Sequence, residues 1–237
     1  ECAAMNPSLI ILENFLQALF AGLLIGGIYG LMCVGLGIIF GVMKVINFGQ
    51  GDLLMLGMYF AWYMVTGFGI LTFLGPYFGP MAAAILTFPA LYVVGILMHK
   101  FLISKVTGIR VASMEGEGHY AQLILTLGIS LILANGGLLV FGSEPRSIAT
   151  PMSKTAIEMG PLVGNDVSVF LNQARLFGLI LSLAVAAALY LFIKRSRLGK
   201  SLRAAADNPE AAIYMGIDVD RAHRIAFGIG TGITAVA

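Results

Sequence analysis

Residues 14–43 read NFLQALFAGLLIGGIYGLMCVGLGIIFGVM, thirty positions without Asp, Glu, Lys or Arg, and Lys44 follows at once. A helix needs about 20 mostly apolar residues to cross the hydrocarbon core of a bilayer. A single Asp, Lys or Arg at its centre would cost about 2.5–3.5 kcal/mol on the insertion scale. The stretch therefore reads as one tilted span, roughly Leu16–Phe40. Similar gaps recur along the chain: Leu53–His99, Gly118–Ser143, Leu176–Ile193 and Ile225–Ala237 are also free of those four residue types.

The Leu53–His99 gap is too long for one span and too short for three. Gly75–Pro80 (GPYFGP) divides it, because Gly and Pro interrupt helices. The predicted spans are then Leu53–Thr66, Met81–Phe101 with a kink at Pro89, Ala121–Phe141 and Arg175–Ile193. A sixth begins after Arg224 and is still apolar at Ala237. A helix cut in mid-membrane would leave backbone groups unsatisfied in lipid, so the natural protein is expected to continue. Glu1–Ala4 precede Met5, a candidate initiator, and no basic signal-peptide segment comes before the apolar stretch. The expected fold class is all-α, a polytopic transmembrane helix bundle of about six spans in a single domain over residues 1–237.

The whole composition agrees. Of 237 residues 59% are hydrophobic and only 11% charged, whereas a soluble domain has about a quarter charged. A soluble enzyme, a nucleic-acid binder and a disordered tail are excluded, and a net charge of +2 is too small for a polybasic surface. Cys2 and Cys33 cannot build a disulfide framework. His99, His119 and His223 fall at predicted span ends without metal-ligand spacing, so they are read as interfacial and no metal site is expected. No nucleophile and base lie together inside the spans.

Lys and Arg alternate between successive loops. Eleven (Lys44, Lys100, Lys105, Arg110, Lys194, Arg195, Arg197, Lys200, Arg203, Arg221 and Arg224) fall on one side, and only Arg146, Lys154 and Arg175 on the other. The positive-inside rule puts the first group in the cytoplasm. The N-terminus and the Pro- and Gly-punctuated loop of residues 143–174 are then extracytoplasmic.

Two segments could carry function. Between the first two spans, Asn47-Phe48-Gly49-Gln50-Gly51-Asp52 is a polar, Gly-rich break. Non-helical backbone at membrane depth is tolerated where it is buried in protein or lines water, and discontinuous helices mark substrate paths. An ordinary cytoplasmic turn with Asp52 capping the next helix explains the same residues, and both readings stand at this point. On the cytoplasmic side, residues 197–217 form a compact knob rather than a plain basic loop. Asp207 or Asn208 caps a short helix Pro209–Met215 with Pro209 at its start and Glu210 in its first turn, and Gly216 stops it. Ala211 and Ala212 would be exposed and let another surface approach closely. Asp218 can cap the next span. Gly199-Lys200-Ser201 imitates a phosphate loop, but Lys194 stands where its first Gly belongs, so this chain is not expected to bind ATP. Gly22, Gly26 and Gly30, Gly37 with Gly41, and Gly228 with Gly232 recur every four residues, a spacing that permits close helix packing.

Gly27-Ile28-Tyr29-Gly30-Leu31, Gly35-Leu36-Gly37, Phe40 through Asp52, Met55-Leu56-Gly57, Thr126 through Leu133, Phe141-Gly142 and Leu198-Gly199 through Gly216-Ile217 together resemble the LivH type of permease. These are membrane subunits of branched-chain amino acid ABC importers, and the resemblance covers nearly the whole chain. The family pattern usually reads Asn-Phe-Ala-His-Gly-Glu/Asp, where this chain has Gly49 and Gln50 in place of Ala and His. Family members typically have eight spans.

The resemblance implies a multi-pass permease of the bacterial inner membrane, not itself an enzyme, moving branched-chain or related small amino acids inward. It implies that Asn47–Asp52 lies by the translocation path. It also implies that the knob, through Leu198, Gly199, Ala205, Asn208, Pro209, Glu210, Ala211, Ala212 and Gly216, seats in an ATPase subunit. Partners would be a sister permease, two ATP-binding subunits holding ATP and Mg, and a periplasmic substrate-binding protein contacting the 143–174 loop. Urea, short amides or aromatic acids are alternative cargoes within the family. From another class, a passive channel or ion-coupled carrier would use Asp52 as an ion site.

Overall fold

The computed structural model describes residues 7–44, 46–69, 74–107, 117–148, 150–159 and 168–237. Met5 and the residues before it, Arg110 and Pro161 lie outside them. The chain runs α1 (Pro7–Met43), α2 (Gln50–Trp62), α3 (Gly75–Met98), α4 (Ser104–Thr107), α5 (Glu117–Phe141), α6 (Pro151–Lys154), β1 (Ala156–Met159), β2 (Val169–Asn172), α7 (Gln173–Arg195), α8 (Arg197–Asp207), α9 (Pro209–Tyr214) and α10 (Val219–Val236). The described residues form an all-α bundle with one antiparallel strand pair, the β1–β2 hairpin, in which Ile157 faces Leu171. The hairpin falls in the 143–174 loop, where no strand was expected.

Four described helices are long and apolar enough to cross a membrane: Leu9–Met43, Gly75–Val106, Tyr120–Phe141 and Gln173–Arg195. They correspond to predicted spans one, three, four and five. The other two exist as helices but are shorter or more charged. α2 ends in a π-helical turn, Tyr63–Gly67, and α10 carries Asp220, Arg221 and Arg224 in its first turns. The Gly75–Pro80 divider is displaced. α3 begins at Gly75, whose φ of 81° lies in the left-handed region open to glycine, and Pro76 occupies a first-turn position where its missing N–H costs nothing. The helix then runs through Pro80 and Pro89 and continues as a π-helix, His99–Ile103.

α10 is the axis of the bundle. Its residues from Ala226 to Ala235 are all buried, against α1 on one side and α3 on another. Lipid offers no hydrophobic gain for helix association, so close backbone packing and interhelical hydrogen bonds supply it. A Cβ on Gly35 would sit 2.7 Å from the Gly230 carbonyl, and one on Gly95 would sit 3.1 Å from Gly228 Cα. Thr87 Oγ1 donates to Ala235 O at 3.1 Å, and Thr231 Oγ1 to Leu91 O at 3.2 Å. By contrast, a Cβ on Gly22, Gly26, Gly30, Gly37 or Gly41 would meet nothing within 4 Å. The four-residue glycine repeats of α1 therefore do not pack this bundle, although Gly228 and Gly232 do.

Most of the described basic residues gather at one end. Ile39 and Met43 of α1, Ile103 after α3 and Phe227 of α10 form one cluster, with Leu125 of α5 against it. Lys44, Lys100, Lys105 and Arg224 flank that cluster in the chain. At the other end Leu24 of α1 packs on Val169 and Leu171 of the hairpin. His99 is buried within the protein at the basic end, with its ring 6.1 Å from Phe227.

Candidate functional site

α1 stops at Lys44, which takes the left-handed conformation (φ 59°) with its N–H on Phe40 O. The chain then climbs back into the bundle before α2 starts at Gln50. The depth follows from its contacts. Gln50 Nε2 reaches Thr234 Oγ1 and, at 3.4 Å, Gly230 O. Thr234 is fifteen residues beyond Val219, about 22 Å along α10 at 1.5 Å per residue. The break therefore lies deep within the bundle and not in a turn at its surface.

The six predicted path residues divide. Asn47 and Gln50 are buried, 5% and 3% exposed. Asn47 Nδ2 donates to Gln50 Oε1 at 3.2 Å, and its Oδ1 accepts from Gly49 N–H at 3.1 Å. Asn47 thus folds the bend locally while Gln50 ties it to α10. Gly49 is buried within 3.6 Å of Thr126 O, measured from where a Cβ would stand. Phe48, Gly51 and Asp52 face the open side, Asp52 half-buried and accepting a hydrogen bond from Ser130 Oγ of α5. The turn reading gave Asp52 the cap of α2, but Gly49 occupies that position without a side-chain bond.

The knob is ordered as its punctuation suggested. Asn208 rather than Asp207 is the cap, accepting from Ala211 N–H at 3.0 Å, and the helix spans Pro209–Tyr214. Gly216 follows with φ 78°, and Asp218 caps α10 through Arg221 N–H at 3.0 Å. α8 ahead of it was missed as a helix. Its signal was the three-residue alternation of Gly199, Leu202 and Ala205, now buried, with Arg197, Lys200 and Arg203 on its other faces. Gly199 is required by a close approach: a Cβ there would sit 2.5 Å from both Cα and O of Ile193.

One expectation is corrected. Ala212 is 3% exposed and packs with Leu202, Ala205, Val219 and Ala222 into the same cluster as Ala226 and Ile229 of α10. The i,i+1 pair Ala211 and Ala212 cannot share a helix face, so only Ala211 is open. The outward surface is instead Leu198, Asn208, Pro209, Glu210, Ala211 and the apolar tip Tyr214 and Met215, 90% and 82% exposed. Losing the Asn208 cap should cost about 1 kcal/mol. An Asn208→Ala chain is expected to be cut faster by protease between α8 and α9, with α1–α7 unaffected.

Among the described residues no group of three or more His, Cys, Asp or Glu could hold a metal. Four described helices long and apolar enough to cross a membrane, packed with a helix break inside the bundle, define a multi-pass membrane protein. A family model described as "Branched-chain amino acid transport system / permease component" matches residues 18–237, and the chain belongs to that family.

Among its relatives is the "High-affinity branched-chain amino acid transport system permease protein BraD" of Pseudomonas aeruginosa, 27% identical over 224 residues, 94% of this chain and 69% of that protein. The "High-affinity branched-chain amino acid transport system permease protein LivH" of Escherichia coli K12 is 28% identical over the same shares. A "Probable branched-chain amino acid transport permease protein LivH" of Methanocaldococcus jannaschii is 29% identical over 210 residues, 87% of this chain and 60% of that protein. No solved structure matches the chain. The protein is a multi-pass membrane permease component, a transport protein rather than an enzyme, and such a component implies partners.

Proposed function

We propose that this chain is the membrane-spanning subunit through which an ATP-driven importer of the bacterial inner membrane moves branched-chain amino acids into the cytoplasm. The observation that carries this reading is a continuous mechanical connection. The knob's buried face (Leu202, Ala205, Ala212) is packed into the α10 cluster, and α10 in turn holds Gln50 at the break. Movement of the knob therefore moves the segment beside the path, which suits rigid-body alternating access. The ATPase would sit on the outward residues Leu198, Asn208, Pro209, Glu210 and Ala211, while Gly199, Ala205, Ala212 and Gly216 shape the knob behind them. Phe48, Gly51 and Asp52 would border the path, with Asn47, Gly49 and Gln50 holding them in place.

A sister permease, two ATP-binding subunits carrying ATP and Mg, and a periplasmic substrate-binding protein complete the machine. The end holding the hairpin and residues 143–174 would face that binding protein.

Proteoliposomes containing the assembled transporter should take up labelled L-leucine only with ATP and the ATPases present. Asp52→Asn keeps an oxygen for the Ser130 hydroxyl but removes the charge, and should lower that uptake about fivefold, the roughly 1 kcal/mol by which a hydrogen bond to a charged group exceeds a neutral one. Uptake driven by an ion gradient without the ATPases would establish a carrier instead.

A further inference from the structure

We infer that the outer part of α2 and Arg146 form a binding station for the carboxylate of a small apolar amino acid, at the end of the bundle away from the knob. The inference rests on the importer reading and deepens it. A cavity of about 170 Å³ is lined there by Met55, Met58, Tyr59, Trp62 and Arg146. The hollow is open on one side, and its volume is close to the roughly 150 Å³ of an enclosed void that admits benzene, so a branched aliphatic side chain fits in it.

The lining is chemically divided. Met55 and Met58 are flexible, polarisable thioethers that adapt to aliphatic groups of differing shape. Tyr59 is fixed by stacking on Phe141, ring centroids 3.9 Å apart. Among the described residues that line it, Arg146 alone is charged. Its guanidinium lies 4.4 Å from the Trp62 ring centroid, and its Nη2 donates to Phe141 O at 3.1 Å. These two contacts hold the guanidinium plane in position. Of the five N–H donors of an Arg, that carbonyl takes one, and the planar fork matches a carboxylate with two parallel bonds.

The station continues into the path. Gly51, Met55, Met58 and Trp62 recur at helical spacing and so share one face of α2. Asp52, at the inner end of that helix, is ten residues and about 15 Å from Trp62. That separation is too great for one zwitterion to touch both charges. A substrate would be held by its carboxylate at Arg146 and, further in, by its ammonium at Asp52. Two weak successive stations allow both capture and release. An anionic lipid headgroup offers the same chemistry to Arg146, and the test separates the two.

Trp62 is the single Trp of the 237 residues, and the resonance that a Trp62→Phe chain loses identifies its signal. This subunit, labelled with 5-fluorotryptophan, is assembled into the full transporter in phosphatidylcholine nanodiscs without binding protein. L-leucine in the millimolar range should shift the fluorine resonance. Leucinamide, which lacks the carboxylate, should leave it in place. Arg146→Gln should weaken the leucine response at least tenfold. Arg146→Lys, which keeps the charge without the fork, should fall between and serves if the Gln variant fails to assemble. An equal shift with leucinamide, an undiminished response in the variants, or a signal that follows added anionic lipid but not leucine each overturns the station. If the unaltered transporter imports leucine while Trp62 stays silent, only the station fails. If it imports no leucine at all, the reading beneath it fails as well.

Discussion

A Gly35→Val chain is expected to lose much of its folded material and to unfold about 4–16 °C lower than the unaltered chain. Gly35 lies where α1 crosses the central helix. A Cβ there would run into Thr234 Oγ1 and stand 2.7 Å from Gly230 O. The hydroxyl could rotate away, but the carbonyl belongs to a helix gripped on its other side by α3, so the helices must separate. Forcing methyl groups into such a contact costs about 1–3 kcal/mol. Separation also pulls Thr234 from Gln50, a further loss of about 1 kcal/mol. Each kcal/mol lowers the midpoint by about 2–4 °C for a chain of this size. Gly22→Val is the matched control: its added side chain would begin in open space, and its midpoint should stay within a few degrees. Thermal unfolding of both variants in detergent checks this, and equal midpoints would mean that α10 is not seated through Gly35.

The pair also shows what can be read from a sequence of this kind. The spans at Leu16–Phe40, Ala121–Phe141 and Arg175–Ile193 were legible because every charge placed in lipid carries its own cost, so gaps between charges mark helices without knowledge of neighbours. The identity of the central helix was not legible. α10 begins with Asp220, Arg221 and Arg224 and resembles the edge of a bundle, yet it is buried from Ala226 onward. Its place depends on which surfaces α1 and α3 present. Glycine spacing failed on α1 for the same reason: Gly22, Gly26 and Gly30 share a face, but spacing does not say whether a neighbour meets it.

At the break, the residue types announced an interruption. Only the fold shows that Gln50 turns inward to Thr234 while Phe48 turns out. The knob was legible through its caps, since Asn208, Pro209 and Gly216 act on adjacent backbone. Ala211 and Ala212 were misread as equivalent because their difference is one of helix phase against a core not visible in the chain. The hairpin left only the alternation of Val169 and Leu171 as a trace.

That phase difference yields the second large effect. Tyr214→Asp is expected to reduce ATP-driven leucine uptake to background while the subunit still inserts and folds. Tyr214 is 90% exposed beside Met215, at the tip of a helix whose other face is locked against α10. Among the described residues its ring makes no aromatic or hydrogen-bond contact, so the fold does not rest on it. An exposed Tyr on an ordered projection has the character of a binding hot spot, and losing one costs at least about 2 kcal/mol, or about thirtyfold in affinity. The Asp would in addition carry an unpaired charge into the contact. Ala212→Arg should also stop transport, but by a different route. It would force a long cation into the cluster around Leu202 and Ala205, where an uncompensated buried charge costs about 3–5 kcal/mol, and the knob would come away from α10. Limited proteolysis separates the two: residues 197–217 should be cut rapidly in the Ala212→Arg chain and remain resistant in the Tyr214→Asp chain. Co-purification with the ATPase should be lost in both. An ATPase that stays bound to the Tyr214→Asp chain, with normal uptake, would show that the projecting end of α9 is not where force enters the permease.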